Sequence, residues 1–234
     1  MKIAIFTISL GKYDMFFDGL YYSSMANFLP EHEKDFFVFS DKKVSKEENV
    51  NIFHQEKMGW PHDTMMRFHL LNKISDQIKE YDYVFFFNIN MLVKKRIGDE
   101  ILPGEENDWL VGAEHPLFFD KPLNQMSFDR NPNCSCYVPI DEGTMYYQGC
   151  FNGGRVDEFL HMSKVLANNL DEDKENNIIP LWHDESQLNW YYKDKNPLRL
   201  PYTYIYPEAL KMPGKPIMLQ RDKNKHGGHA FLRS

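Results

Sequence analysis

Tyr83-Val84-Phe85-Phe86-Phe87-Asn88-Ile89-Asn90 is the stretch on which the fold turns. A short, unbroken apolar run of aromatic and branched residues reads as a buried strand, and the two asparagines mark its end. Ile3 to Ile8, upstream, has the same character and reads as a parallel strand covered on both faces. Between them the pattern alternates. Tyr13 to Phe28 predicts a helix stopped by Pro30, and Phe36 to Phe39 a strand running into Ser40 and Asp41. A polar loop, Lys42 to Asn49, leads to a strand at Asn51 to His54. Thr64 to Ile78 predicts one helix, with Met66, Leu70, Ile74 and Ile78 four residues apart on one face. Strand, helix, strand alternation implies an α/β fold with a mostly parallel central sheet and helices on both faces. Such sheets bind ligands beyond the carboxyl ends of their strands. That rule singles out Thr7 to Tyr13, Asp41 and the residues just after Phe87.

The second half is less regular. Trp109 to Ala113 predicts a strand, followed by a proline- and asparagine-rich stretch from His115 to Pro139. Val156 to Leu170 predicts an amphipathic helix with Val156, Phe159, Leu160, Ser163, Ala167 and Leu170 on one side, and Glu185 to Tyr192 another helix. The last thirty residues, rich in Pro, Lys and Gly, read as an ordered or inducible tail carrying Arg221, Lys223, Lys225 and Arg233. No repeat or low-complexity tract interrupts the chain.

Composition excludes several classes. With 234 residues, 42% of them hydrophobic, the chain suits one compact domain rather than a disordered segment. A net charge of −7 argues against nucleic-acid binding. The aromatic content, 15%, suits an aromatic core or stacking on the apolar faces of sugars. Cys134, Cys136 and Cys150 alone cannot make a four-ligand zinc site, and Cys134 and Cys136 have the wrong spacing for a Cys-x-x-Cys redox pair. A sparse, odd set suits reduced thiols in a cytoplasm. No run approaches the roughly 20 apolar residues of a membrane helix. The apolar start, cut off by Gly11, Lys12 and Asp14, reads as a first strand rather than a signal peptide.

Four segments could carry chemistry. Asn88 and Asn90 flank one apolar residue, so strand geometry would put them on one side; they could equally satisfy local backbone groups. Trp182-His183-Asp184-Glu185-Ser186 sets two carboxylates beside aromatic rings. These acids could cap a helix, or face positive charge developing at a sugar carbon. Tyr146-Tyr147-Gln148-Gly149-Cys150-Phe151-Asn152-Gly153-Gly154 lets backbone approach a ligand or a neighbouring strand, but lacks the lysine and hydroxyl of a phosphate loop. Gly59-Trp60-Pro61 precedes Arg67, which on a helix is ordinarily solvated or salt-bridged.

In this order, the segments resemble the family 6 glycosyltransferases, the family of the histo-blood group A and B transferases and the α-1,3-galactosyltransferase. The likeness also takes in Ser40-Asp41, Glu100-Ile101-Leu102, His115-Pro116 with Phe118, Ser127-Phe128-Asp129-Arg130, and Tyr137-Val138-Pro139 with Asp141-Glu142-Gly143. It is strongest to the short bacterial members, which lack the anchor and stem of the vertebrate enzymes. The resemblance implies a GT-A fold in one catalytic domain: a nucleotide-binding half at 1–90, an acceptor and donor-sugar half at 91–215, and a basic tail at 216–234 closing over the donor. It implies Phe6, Thr7, Ile8 and Tyr13 at the uridine, Arg67 at the nucleotide-sugar end, and Asn88 and Asn90 at the Asp-x-Asp positions. It implies His115, Phe118, Ser127 and Trp182 against the acceptor, Asp184 on donor-sugar hydroxyls, and Glu185 as the central catalytic carboxylate.

Three departures qualify it. Vertebrate members bind manganese through two aspartates where this chain has Asn88-Ile89-Asn90. Neutral amides are poor ligands for hard divalent ions, so no metal or other cofactor is expected. The departing UDP would then be stabilised by Arg67 and by the tail cations Lys223, Lys225 and Arg221 or Arg233. Gln148-Gly149-Cys150 occupies the positions that shape the donor-sugar pocket; the bulk of its outer two residues slightly favours galactose over N-acetylgalactosamine, while Gln148 could instead hydrogen-bond an acetamide. Pro207 stands where the blood group enzymes carry an acceptor-binding aspartate, and Glu208 next to it is the substitute. The expected activity is a retaining, cytoplasmic α-1,3-transfer from UDP-galactose or UDP-N-acetylgalactosamine to a β-galactoside acceptor, fucosylated or not. A non-catalytic carbohydrate-binding protein and a UDP-sugar hydrolase are the alternative readings.

Overall fold

The computed structural model describes residues 1–234. The chain enters through β1 (Lys2–Ser9), passes a 3-10 turn at Gly11–Phe16 into α1 (Phe17–Asn27), and returns through β2 (Glu33–Ser40) and β3 (Val50–His54). Three short helices follow, α2 (His62–Met65), α3 (Arg67–Lys73) and α4 (Ser75–Ile78), then β4 (Tyr83–Phe87), β5 (Met91–Val93) and β6 (Leu110–Glu114). The second half holds β7 (Tyr147–Arg155), the long α5 (Val156–Glu175), α6 (Asp184–Tyr192), β8 (Leu198–Leu200), β9 (Tyr206–Pro207), β10 (Met218–Gln220) and α7 (Gly228–Leu232).

Seven strands form one sheet in the order β3-β2-β1-β4-β7-β6-β8, and β5, β10 and β9 form a small second sheet. β7 is antiparallel to both β4 and β6, while the other pairings of the main sheet are parallel. This is the mostly parallel α/β architecture read from the sequence, and it agrees with the GT-A type.

Strand pleating explains the two cores. Ile3, Ile5, Phe36, Val38, Phe85 and Phe87 point to one face, where α1 covers them. Ala4, Phe6, Phe37, Phe39, Val84 and Phe86 point to the other, beneath α3 and α5. Two covered faces are what the continuous apolar runs demand.

Two readings need correction. Thr64 to Ile78 is not one helix: it breaks at Met66 and Ile74, whose backbones leave helical geometry. The break shifts the buried position from Met66 to Met65 and turns Arg67 inward, to 2% exposure. The first helix starts later than Tyr13, because Gly11–Phe16 winds as 3-10. The helix from Val156 keeps its predicted buried face and runs on to Glu175.

β7 owes its glycines to close packing. A Cβ on Gly153 would lie 2.3 Å from Phe85 Cδ1 and 2.7 Å from the Val84 carbonyl oxygen. A Cβ on Gly154 would meet the Trp109 carbonyl oxygen at 2.4 Å. Gly153→Ala should therefore overpack the sheet and cost about 1–3 kcal/mol, measured as a lower urea midpoint with an unchanged slope.

Candidate active site

One cleft opens where the topology rule places it, past the carboxyl ends of β1 and β4. β7 runs opposite to β4, so its first residues arrive at that same edge: the Asn88 amide donates to the Cys150 carbonyl at 2.8 Å. The cleft has a β1 side with Ile8, Leu10 and Tyr13. Its floor is Asn88, Ile89, Asn90 and Gln148-Gly149-Cys150. The start of α6 supplies Trp182 to Glu185, and the tail supplies Gln220, Lys223, His229 and Arg233.

Glu185 stands at the centre. Its Oε2 accepts the Gly149 N–H at 2.7 Å. The approach is tight, since a Cβ on Gly149 would sit 3.2 Å from Glu185 Cβ. Burial pushes the Glu185 carboxyl up to about 7; Asp184 adds to the rise, while the Gly149 N–H, the Tyr146 hydroxyl and Arg67 oppose it. The buried Tyr146 hydroxyl makes no hydrogen bond of its own. Asp184 does not cap its helix. It is 6% exposed, pairs with Arg67 Nη1 at 3.0 Å and accepts from Thr64 Oγ1 at 3.0 Å. His183, the residue before it, takes φ 56° and ψ −121°, a strained conformation for a side chain with a Cβ. Its ring packs edge-on against Trp60 with centroids 4.9 Å apart.

Arg67 lies behind the cleft rather than in it. Nη1 donates to the Gly149 carbonyl at 2.6 Å, and the guanidinium lies 4.5 Å from the Phe86 ring centroid and 4.8 Å from that of Phe68. The break after α2 is what turns it in.

Asn88 and Asn90 both line the cleft, but not through the alternation of a strand. The strand stops at Phe87, and the chain turns back with the Met91 N–H bonded to the Asn88 carbonyl at 3.0 Å. Asn90 ties the tail down: its Nδ2 donates to the Arg221 carbonyl at 2.8 Å, and the Arg221 N–H returns a bond to the Asn90 carbonyl at 2.9 Å. The pair offers neutral amide oxygens, and one amide group is committed to the backbone. A manganese ion would find no carboxylate at these two positions, so the donor set does not fit one.

The tail cations divide. Lys223 and Arg233 line the cleft, Lys223 lying 5.4 Å from the Tyr13 ring centroid and Arg233 stacking 3.9 Å from that of Trp60. Burial lowers the Lys223 pKa. Lys225 does not reach the cleft, because Glu208 holds it at 2.9 Å. The other Glu208 oxygen accepts the Asp222 N–H at 2.8 Å, so this carboxylate is spent on the tail and stands outside the cleft. Arg221 turns to His226 and stacks on Phe16.

Other expected residues scatter. Phe6 packs on Phe86 and Phe39, with centroids 5.5 and 5.8 Å away, and Thr7 donates to the Phe87 carbonyl at 2.8 Å. Both are core residues of β1: Thr7 faces the opposite side of the sheet, and Phe6 lies on the face of Ile8 but two residues deeper, so Ile8, nearer the strand end, lines the cleft. His115 and Phe118 pack against Tyr146, with centroids 5.7 and 5.3 Å from it, and do not line the donor-side cleft. Burial pushes His115 down to about 4, so its ring is neutral at pH 7. Ser127 is half-buried, next to Phe128, which also packs on Tyr146. Lys57, Trp60, Asp63 and Thr64 form a further wall, of which the sequence had singled out only the Gly59-Trp60-Pro61 segment. They follow the carboxyl end of β3, so the rule that selected Thr7 to Tyr13 applies to them equally. Tyr146 carried no signal beyond its place before Gln148.

The comparisons bear on the family. A family model described as glycosyltransferase family 6 matches residues 1–227. An O-antigen biosynthesis glycosyltransferase of Escherichia coli, WbnI, is 34% identical over the whole of both chains. Histo-blood group ABO system transferase 2 of Rattus norvegicus is 27% identical over 89% of this chain and 64% of its own. Globoside alpha-1,3-N-acetylgalactosaminyltransferase 1 of Gallus gallus is 26% identical over 92% of this chain and 63% of its own. This chain thus spans the full bacterial relative and just under two thirds of these vertebrate ones.

The geometry makes Arg67 and Gly149 positioning groups. Removing one partner of a buried ion pair strands the other, so Arg67→Met should cost about 3–5 kcal/mol in urea denaturation. The stability effect of Glu185 follows from its raised pKa. Its neutral form is favoured in the fold, so the contribution is full below about 4.5 and is lost as pH rises through about 7. Glu185→Gln should therefore raise the thermal midpoint relative to wild type at pH 8 more than at pH 4.5, as read by calorimetry.

Proposed function

Because the chain belongs to glycosyltransferase family 6, we propose that it transfers galactose from UDP-galactose to the 3-hydroxyl of a β-galactoside acceptor, with retention of the α-configuration and without a divalent metal. The observation that carries the reading is Glu185, a carboxylate held by the Gly149 N–H at 2.7 Å in the wall of a cleft that also holds unpaired cations.

The chemistry follows from the parts. The bond from the anomeric carbon to the UDP oxygen breaks, and positive charge grows on the sugar. The Glu185 carboxylate faces that charge, as nucleophile or as stabiliser. Lys223 and Arg233, free of carboxylate partners, balance the charge growing on the departing diphosphate. The acceptor hydroxyl adds to the same face, and its proton leaves with the diphosphate or to solvent. Tyr146 joins Glu185 to His115 and Phe118, which favours an acceptor sugar on that side, with Trp182 at the mouth of the cleft. With Asn88 and Asn90 neutral and Asn90 tied to Arg221, the cations of the tail take over the role that a metal fills elsewhere.

Preference for galactose rests on Gln148. Cys150 Sγ lies 3.3 Å from its Oε1 and Gln220 Oε1 3.5 Å from its Nε2, so both ends of the amide are occupied. The side chain then acts as a fixed wall against an N-acetyl group rather than as its partner.

A donor-by-acceptor matrix, with and without EDTA and manganese, tests the proposal by reading transfer and free-sugar release separately. Transfer from UDP-galactose that is unchanged by EDTA supports it. Manganese-dependent transfer, or equal sugar release with and without acceptor, overturns it. Glu185→Gln should lower kcat at least about 100-fold, roughly 2.7 kcal/mol of transition-state stabilisation, while UDP binds as before. Since ionised Glu185 is the active form, log(kcat/KM) should fall on the acid side of an apparent pKa near 7, and this limb should vanish in Glu185→Gln. Gln148→Gly should shift the donor preference towards UDP-N-acetylgalactosamine by about tenfold or more.

A further inference from the structure

Away from the cleft, a second cluster has no part in the reading above. Cys134 and Cys136 are 5% and 0% exposed, with their sulfurs 3.2 Å apart. A carboxylate oxygen of Asp129 lies within 4.8 Å of both sulfurs, and Asp173 Oδ2 lies 3.5 Å from Cys134 Sγ. Asp129 and Asp173 are themselves 4% and 1% exposed. None of the four residues lines the cleft.

The charge in this cluster is unbalanced. Asp129 accepts N–H groups from Asn131 at 2.9 Å and Leu181 at 2.8 Å; Asp173 accepts from Ser135 N at 2.7 Å, Ser135 Oγ at 2.7 Å and Gln187 Nε2 at 3.0 Å. All of these donors are neutral. The nearest cation in sequence, Arg130, turns away to the Val138 and Pro139 carbonyls. Buried carboxylates are ordinarily paired with a cation or bound to a metal. Here there are two, beside two thiols.

We propose that Cys134, Cys136 and Asp129, whose ligand atoms lie within 4.8 Å of one another, bind one borderline-soft divalent cation of the zinc class, with Asp173 moving in from its contact with Cys134 to complete the set. Two thiolates select against magnesium, calcium and manganese, and a set of two sulfurs and two oxygens suits tetrahedral zinc. With zinc–sulfur bonds of about 2.3 Å, a tetrahedron sets its sulfurs roughly 3.8 Å apart. The thiols need to separate by only about half an ångström from where they stand. Binding releases both thiol protons to solvent, and the cation replaces the sulfur–sulfur hydrogen bond. A disulfide is the weaker reading: the sulfurs would close to about 2.05 Å, an oxidant would be required, and both carboxylates would remain without a counter-charge. The cation site is structural. It joins the loop holding Asp129 to the end of α5, and through Leu181 and Gln187 it fixes both the approach to α6 and α6 itself.

The experiment uses the full chain stripped of metal under reducing conditions and titrated with Co²⁺. Wild type should take up one equivalent and show thiolate-to-cobalt absorption in the near ultraviolet together with tetrahedral visible bands. Cys134→Ser/Cys136→Ser should lose these bands, and Cys150→Ser should keep them. Asp173→Asn, which leaves both thiols in place, should weaken Co²⁺ binding about tenfold or more. Zn²⁺ should displace Co²⁺ and bleach the spectrum, and UDP should leave it unchanged, which separates this site from the donor cleft. Absence of the thiolate band in wild type, its persistence in the double variant, or a Cys134–Cys136 disulfide that forms in place of metal uptake would overturn the proposal. The readout is spectroscopic, so it stands whether or not the chain proves to be a galactosyltransferase.

Discussion

The site rests on one buried contact, the guanidinium of Arg67 between the Asp184 carboxylate and the Gly149 carbonyl. Three elements meet there: the broken helix after β3, the first residues of β7 and the start of α6. With the pair formed, Asp184 is neutralised and α6 begins where Glu185 can take the Gly149 N–H. Without it, a carboxylate and a guanidinium would be buried separately, each at a cost of several kcal/mol. A contact of this kind adds little net stability, but it leaves the three elements a single arrangement in which the two charges meet through Nη1, while Nε and Nη2 of Arg67 have no hydrogen-bond partner.

Charge is distributed around this contact with a clear polarity. Behind the cleft the cation is spent, stacked on aromatic rings and paired. At its open side Lys223 and Arg233 stand over Tyr13 and Trp60 with no acid to hold them. Beneath them the floor is neutral, made of asparagine, glutamine and backbone. The carboxylates of the lining are Asp184 and Glu185 at the start of α6, and Asp63 in the wall of Trp60, over which Arg233 stacks. A ligand that is anionic at one end and becomes cationic at the other would find the tail cations at the first and Glu185 at the second. The raised pKa of Glu185 is the counterpart of this arrangement, since a carboxylate that is poorly solvated at rest gains most when positive charge appears beside it.

The sequence made the sheet legible because its strands are buried on both faces and therefore read as unbroken apolar runs, Tyr83 to Phe87 foremost. The amphipathic face of the helix from Val156 was legible for a similar reason. The helix after β3 was misread because a four-residue apolar spacing looks the same whether the axis is continuous or broken; the break shows in the backbone of Met66 and Ile74 and in the inward turn of Arg67. The site was partly legible from residue types. Asn88, Glu185, Asp184, Gln148, Lys223 and Arg233 come to one cleft. Phe6 and Thr7 do not: pleat alternation turns Thr7 to the opposite face, and Phe6, on the face of Ile8, lies too deep in the sheet to reach the cleft. Lys225 and Glu208 neutralise each other, a pairing across 17 positions that no local pattern announces. Trp60 and Lys57 were within reach of the strand-end rule, which was applied after the first, second and fourth strands but not after the third. The two aspartates near Cys134 and Cys136 come from distant segments, so cysteine spacing alone could not point to them.

The Tyr13 hydroxyl meets His229 at 3.3 Å across 216 positions of chain, and Gly11, at φ +64°, packs against the backbone of Leu232. One wall of the cleft is thus assembled from segments more than 200 positions apart in the chain. The sheet, whose parallel strands lie nearer one another in sequence, can form before these distant segments meet. Until Gly11 and Leu232 pack together, the cleft lacks a side.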